Sequence, residues 1–349
     1  MARAKRLEAP LWAGPSGDGP NGGLTFSMLS KFLDCRWKFR VRVYEGLRSA
    51  DKFLHRLEFG NMWHACKEGG KEWISYLQNT VDSLCMDYPM ERAAITHWHC
   101  VIAKLYPEYL KYRKVAGYTP RKSLCREQVF DVQYQLPSGK KVRLRGKFDE
   151  NSVEDETLVL DEHKTKGEVD QEAIERQLMR DLQTMMYMTV IEQDTKIPAI
   201  EAAKKKIGDY QRAVSYNVIR RPLSGGKGTI VRHKATKNKP EETLSEYYDR
   251  LAVYFQEAPE DYFFSWEVGI TPGDIKRFQD ETLNPILEQV CLWWDVIAKG
   301  TTIHPMHWRK PRGVYGDDDS WDAVDAYLET GVPNGLTKLT NLFPELQSM

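Results

Sequence analysis

Residues 142–149, VRLRGKFD, and residues 158–165, LVLDEHKT, decide how the chain is read. In the first run Val142 and Leu144 alternate with Arg143 and Arg145, and the run closes on Asp149. The second follows a polar turn, Asn151 to Thr157, and passes from an apolar start into charged residues. Alternation marks a half-buried strand, and a short apolar run bounded by turn residues marks a buried one. Successive side chains of a strand point to opposite faces. Glu162 and Lys164 therefore share one face, while Asp161 and His163 take the other. Paired as a hairpin, the two strands bring Asp149, Glu162 and Lys164 to one edge.

Carboxylates a few ångströms apart repel unless positive charge sits between them. The fitting occupant is a divalent, oxygen-preferring ion, Mg²⁺ or Mn²⁺, which binds through one or two carboxylates and keeps waters for chemistry. Lys164 beside it would orient or deprotonate an attacking water, or steady charge building on a phosphate. In the following segment Gln183 and Tyr187 stand four apart, so they share one helical face.

Asp149, then Glu162-His163-Lys164-Thr165, then Gln183 to Tyr187 together resemble the PD-(D/E)xK nuclease superfamily. Within it they resemble the RecB-type exonuclease branch. The ordered combination carries the resemblance, because a D…ExK triplet alone arises by chance in charged proteins. The opening helix expected from Thr25 to Phe39, with Ser27 as its N-cap, is also similar to that branch. So is Gly60 followed by His64. The resemblance implies an α/β, restriction-endonuclease-like core, a mixed sheet flanked by helices, with a C-terminal helical extension. It implies Asp149, Glu162 and Lys164 as catalytic residues, and Gln183 and Tyr187 as contacts to the site and the DNA backbone. His64 would join Asp149 and Glu162 at the metal, its imidazole favouring Mn²⁺ over Mg²⁺. Some members of the branch hold an iron–sulfur cluster through a cysteine at the position of Cys35 and three late ones. Only Cys291 is late here, so no iron–sulfur cluster is expected and Cys35 reads as a buried small hydrophobe.

Composition neither demands nor excludes such an enzyme. The 349 residues are 41% hydrophobic, enough for one large core or two modest ones. Lys plus Arg equal Asp plus Glu at 50 each, so any positive field is confined to a cleft. The six cysteines, at 35, 66, 85, 100, 125 and 291, lack paired spacing and read as free thiols. With no long apolar run and no signal-like start, a cytoplasmic protein without membrane partners is expected.

The organisation expected is a flexible tail over 1–23 and a nuclease core over 24–220. A basic flexible loop over 221–240 and a helical or irregular extension over 241–349 follow. Lys204, Lys205, Lys227, Arg232 and Lys234 are candidate DNA contacts. For the Lys204–Lys206 run a solvated face is the plainer reading and a phosphate-contacting edge the sharper one; the loop reads as a DNA clamp, with a disordered insertion as its alternative. Glu127, at the start of a strand, is a further carboxylate that would ordinarily be solvated. His97 and His99 fall on different helical faces, and His304 with His307 lacks a third ligand. The function expected is a metal-dependent DNA nuclease, exonuclease rather than endonuclease, acting in recombination, repair or phage DNA processing. A recombination or helicase protein is a conceivable partner. The alternative is a non-catalytic DNA-binding or assembly module that keeps the fold.

Overall fold

The computed structural model describes residues 10–49, 53–115, 121–222, 231–299, 327, 330 and 332–346. His304, His307 and Lys227 lie outside them. The chain opens with α1 (Phe26–Asp34) and α2 (Arg36–Phe39), a π-turn and a short strand β1 (Leu47–Ser49). Three helices follow: α3 (His55–Gly69), α4 (Trp73–Asp87) and α5 (Arg92–Val115). The meander β2 (Lys122–Gln135), β3 (Lys141–Glu154) and β4 (Thr157–Lys166) leads into α6 (Gln171–Leu178), α7 (Leu182–Ile191) and α8 (Pro198–Ile207). Then come β5 (Gln211–Arg220), α9 (Leu244–Glu257), β6 (Phe263–Gly269), α10 (Pro272–Phe278) and α11 (Asn284–Ala298). Last is β7 (Leu336–Lys338), which pairs with β1.

The main sheet has the order β2-β3-β4-β5-β6 and is mixed. Its pairings are antiparallel except for β4 with β5, whose connection through α6, α7 and α8 lets them run parallel. Period-two alternation divides β5 between two cores: Val214, Tyr216 and Val218 join the helices α7, α10 and α11, and Ile219 joins α3, α4, α5 and α9. Helices therefore cover both faces of the sheet, the α/β arrangement the resemblance implies. No helix among the described residues is long and apolar enough to cross a membrane.

Several boundaries differ from expectation. Thr25, not Ser27, caps α1, its hydroxyl accepting from the Met28 amide. Residues 10–23 are anchored to the core: Trp12, Gly14, Pro15, Gly22 and Gly23 are buried. Trp12 is 1% exposed, lies edge-on to Phe39 and Trp294, and donates its indole N–H to the Gly23 carbonyl at 2.8 Å. The carbonyls that make a Gly/Pro-rich run look mobile are taken up by guanidinium groups. Arg143 holds those of Gly17 and Gly19, and Arg145 those of Pro20 and Gly22. A division at 220 would also cut through the sheet, because β6 completes it and α11 supplies Leu287, Val290 and Trp293 to the main core. Within the expected loop, Arg232 donates to the carbonyl of Glu242, just before α9, at 2.6 Å and meets Glu241 at 3.0 Å, while Arg250 of α9 donates to the Val231 carbonyl at 3.0 Å.

Gly146 shows how tightly the sheet is packed beside the carboxylates. It lies opposite Phe130, and a Cβ there would stand 2.6 Å from Phe130 Cζ and 3.3 Å from the Tyr187 hydroxyl. Gly146→Ala is expected to destabilise the protein by about 1–3 kcal/mol through overpacking, read as a Tm lower by several degrees in thermal denaturation. An unchanged Tm would mean that Phe130 yields freely.

Candidate metal centre

The site is built from residues of three strands, β2, β3 and β4, and two helices, α3 and α7. In the β2–β3 register Arg126 faces Glu150 and Gln128 faces Phe148, which sets Glu127 opposite Asp149. On the other side β3 and β4 pair only up to Glu150↔Asp161. Just beyond, Asp149 meets β4 through its own side chain, Oδ2 accepting from the His163 amide at 2.8 Å. From the helical side α3 brings His64, whose Nδ1 is 3.0 Å from Glu127 Oε1 and 3.9 Å from Asp149 Oδ1. Ligand atoms of His64, Glu127 and Asp149 all lie within 4.8 Å of one another.

Glu162 and Lys164 share a face, as the alternation predicts, and they touch. Gln183, from the first turn of α7, donates to Glu162 Oε1 at 2.7 Å and accepts from Lys164 Nζ at 3.0 Å. Glu162 is fully buried, yet its second oxygen, Oε2, has no hydrogen-bond partner. Tyr187, one turn on from Gln183, is 6% exposed and wedged edge-on against Phe130 and Phe148. Burial raises its pKa, and the Glu162 charge adds to the rise, so it is a neutral phenol supporting Gln183 from behind. A direct contact from Tyr187 to a DNA backbone is not compatible with that burial.

The other alternating pair turns away. Asp161 is occupied by Ser152 and Arg121, and His163 is fully buried and held neutral by burial, with no ring partner among the described residues.

The structure brings Glu127 to the metal group, which a solvated strand start would not do. It is 9% exposed and accepts from Lys147 as well as facing His64. Its backbone has φ 46°, a left-handed conformation that costs a non-glycine residue about 1–3 kcal/mol and persists where the surroundings impose it. The remaining candidates fall elsewhere. Lys204 is spent on the Gln193 carbonyl and Glu201, and the run 204–206 precedes β5, at the opposite end of the parallel strands from Lys164. Arg232 is engaged by Glu241 and Glu242, and Lys234 is exposed.

Electrostatics at the site describe a place lacking positive charge. Burial, then Asp149, raise the pKa of Glu162 against the opposing pull of Lys164. For Lys164 burial acts downward, but Glu162 and Asp149 outweigh it, so the amine is held as an ammonium. His64 follows the same logic: burial lowers its pKa, Asp149 and Glu127 overcome that, and the net shift is upward. The upward shift favours positive charge on an imidazole that lies beside two carboxylates, where a cation would be welcome. The donor set of one imidazole and two carboxylates fits a divalent cation; Glu162, which the sequence reading also placed at the metal, is not in that group.

The raised pKa of Glu162 has a measurable consequence. A carboxyl whose folded pKa is raised contributes stability fully present below its ordinary range and lost as pH rises through the folded value. Metal-free protein is therefore expected to lose Tm between pH 5 and 8, by a few degrees more than Glu162→Gln does. Added Mn²⁺ should restore the loss in the unsubstituted chain. Parallel pH profiles for the two proteins would contradict this.

A family model described as the PD-(D/E)XK nuclease superfamily matches residues 23–273. A search of curated proteins finds no match. The match begins just before α1, covers every strand of the main sheet and includes His64, Glu127, Asp149, Glu162 and Lys164 together with Gln183. With that span, this fold and this order of side chains, the chain belongs to the PD-(D/E)XK nuclease superfamily.

Proposed function

We propose that the protein is a metal-dependent deoxyribonuclease of the RecB type that degrades DNA from an end. The observation that carries this is the pairing of a buried carboxylate row with an adjoining ammonium: Asp149 and Glu162 beside Lys164, with His64 and Glu127 closing the far side. Gly60 four residues before His64, Thr165 after Lys164, and Gln183 with Tyr187 on one helix support the RecB-type assignment.

In this reading His64, Glu127 and Asp149 would hold the ion, and the Glu162 carboxylate, which senses the charge of Asp149, would add to the negative field around it. A divalent ion so placed supplies charge to the phosphate oxygens and makes water easier to deprotonate at neutral pH. Lys164, kept as an ammonium by Glu162, donates to an oxygen of the scissile phosphate as negative charge accumulates there. Gln183 fixes the Lys164 amine and the Glu162 carboxylate together, so that neither has to reorganise when substrate arrives. Tyr187 and the rings around it keep that corner dry. His64 must release its proton to bind the ion, so metal affinity falls as pH is lowered.

End-labelled linear DNA and covalently closed circular DNA, each with Mg²⁺ or Mn²⁺, test the proposal. Linear DNA should be degraded, circular DNA spared, and a chelator should stop the reaction. Nicking of the circle would make the enzyme an endonuclease, and inertness toward every DNA would sink the catalytic reading.

A further inference from the structure

Two arginines near the end of the carboxylate row are left out of the reading so far. Arg221 follows the last residue of β5. Its amide donates to the Lys166 carbonyl at 2.8 Å, continuing the parallel ladder in which Lys164 faces Val218 and Lys166 faces Arg220. It thus lies three residues beyond the level of Lys164, about 10 Å along the strand. Arg56 is in the first turn of α3, eight residues before His64 and about 12 Å from it along the helix axis. Between them, Gly60 brings α3 against β4: a Cβ there would stand 3.4 Å from Thr165 Oγ1.

With α3 held against β4 at Gly60, burial and, after it, the charge of Arg56 both act on Arg221, lowering its pKa. Yet among the described residues neither has a carboxylate partner, and the Nε of Arg221 is buried with nothing to donate to. Other arginines of this chain are clamped: Arg121 by Glu154 and Asp161, Arg143 by Asp131, Arg212 by Glu192, Arg250 by Glu242. The one carboxylate in the first turn of α3, Glu58, is buried and accepts from Asn61 at 2.8 Å. Adjacent like charges without a counter-ion are unfavourable, and the natural relief is an anion with several acceptor oxygens.

We propose that Arg56 and Arg221 form a clamp for a non-reacting phosphodiester of the substrate strand, beside the ends of β4 and β5. The clamp rests on the nuclease reading and adds to it where the strand runs: past Lys164 and toward the first turn of α3. Bidentate guanidinium groups suit a backbone phosphate, and contacts of this kind set register on the strand without reading its sequence.

The test uses the full chain with chelator present, and a fluorescently labelled single-stranded oligonucleotide as probe. Anisotropy is followed from 50 to 200 mM salt for the unsubstituted protein, Arg56→Gln and Arg221→Gln. Each substitution should weaken binding about tenfold and make the salt dependence shallower by about one phosphate contact, with no preference for base sequence. Arg221→Lys should recover part of the loss. Arg56 is exposed, so its variant remains informative should Arg221→Gln fold poorly, and thermal denaturation verifies the fold of each. If the unsubstituted chain cuts DNA while both variants bind with its affinity and salt slope, the clamp alone is overturned. If the unsubstituted chain neither binds nor cuts DNA, the nuclease reading and the clamp fall together.

Discussion

Replacing Lys164 by alanine is expected to slow DNA hydrolysis by about 10³-fold, equivalent to about 4 kcal/mol of transition-state stabilisation. The ammonium is the positive side chain in direct contact with buried Glu162, and Gln183 fixes its position from the other side. Once the amine is gone, Gln183 still donates to Glu162, and the carboxyl can take up a proton because burial already raises its pKa. The fold should therefore survive, and the loss should appear in kcat with little change in DNA affinity. A variant with unchanged kcat would mean that Lys164 serves the stability of β4 and takes no part in chemistry.

Asp149→Asn should have an effect at least as large. Asparagine is nearly isosteric and keeps an oxygen to accept from the His163 amide, so the junction of β3 and β4 is retained. What disappears is the charge shared with Glu127 around His64 and opposed to Glu162. Hydrolysis should fall by about 10³-fold or more, because the variant loses a carboxylate from the ion's donor set as well as its field. Thermal stability without metal should hold or rise, because like-charge repulsion within the row is relieved. A marked fall in Tm would identify Asp149 as the anchor of a salt-bridge network and remove the reason for placing an ion there.

Much of this was readable along the chain because it depends on local period. Alternation alone puts Glu162 beside Lys164 and sends His163 the other way, and helical spacing puts Gln183 and Tyr187 on one face. Other features depend on which distant segments meet, and no local pattern records that. Glu127 enters the metal group through the β2–β3 register and a left-handed backbone, neither visible in an isolated acidic residue. The one available signal was its place near the start of the strand that leads the meander. Residues 10–23 look like a tail until Arg143 and Arg145, more than a hundred positions later, take their carbonyls. Whether Lys204 to Lys206 are a solvated face or a phosphate-binding edge depends on the parallel pairing of β4 and β5, which puts them at the end of the sheet away from Lys164. Helical spacing puts Tyr187 on the Gln183 face, but its burial depends on Phe130 and Phe148 from two strands.

The account stands on a divalent cation held by His64, Glu127 and Asp149 next to Glu162. Calorimetric titration of the metal-free protein with Mn²⁺ at neutral pH probes that directly, with Asp149→Asn run alongside. The unsubstituted chain should bind Mn²⁺ with release of protons, and Asp149→Asn should bind it about 100-fold more weakly or not at all. Equal binding by the two proteins, or no binding by a chain that still cuts DNA, would contradict it.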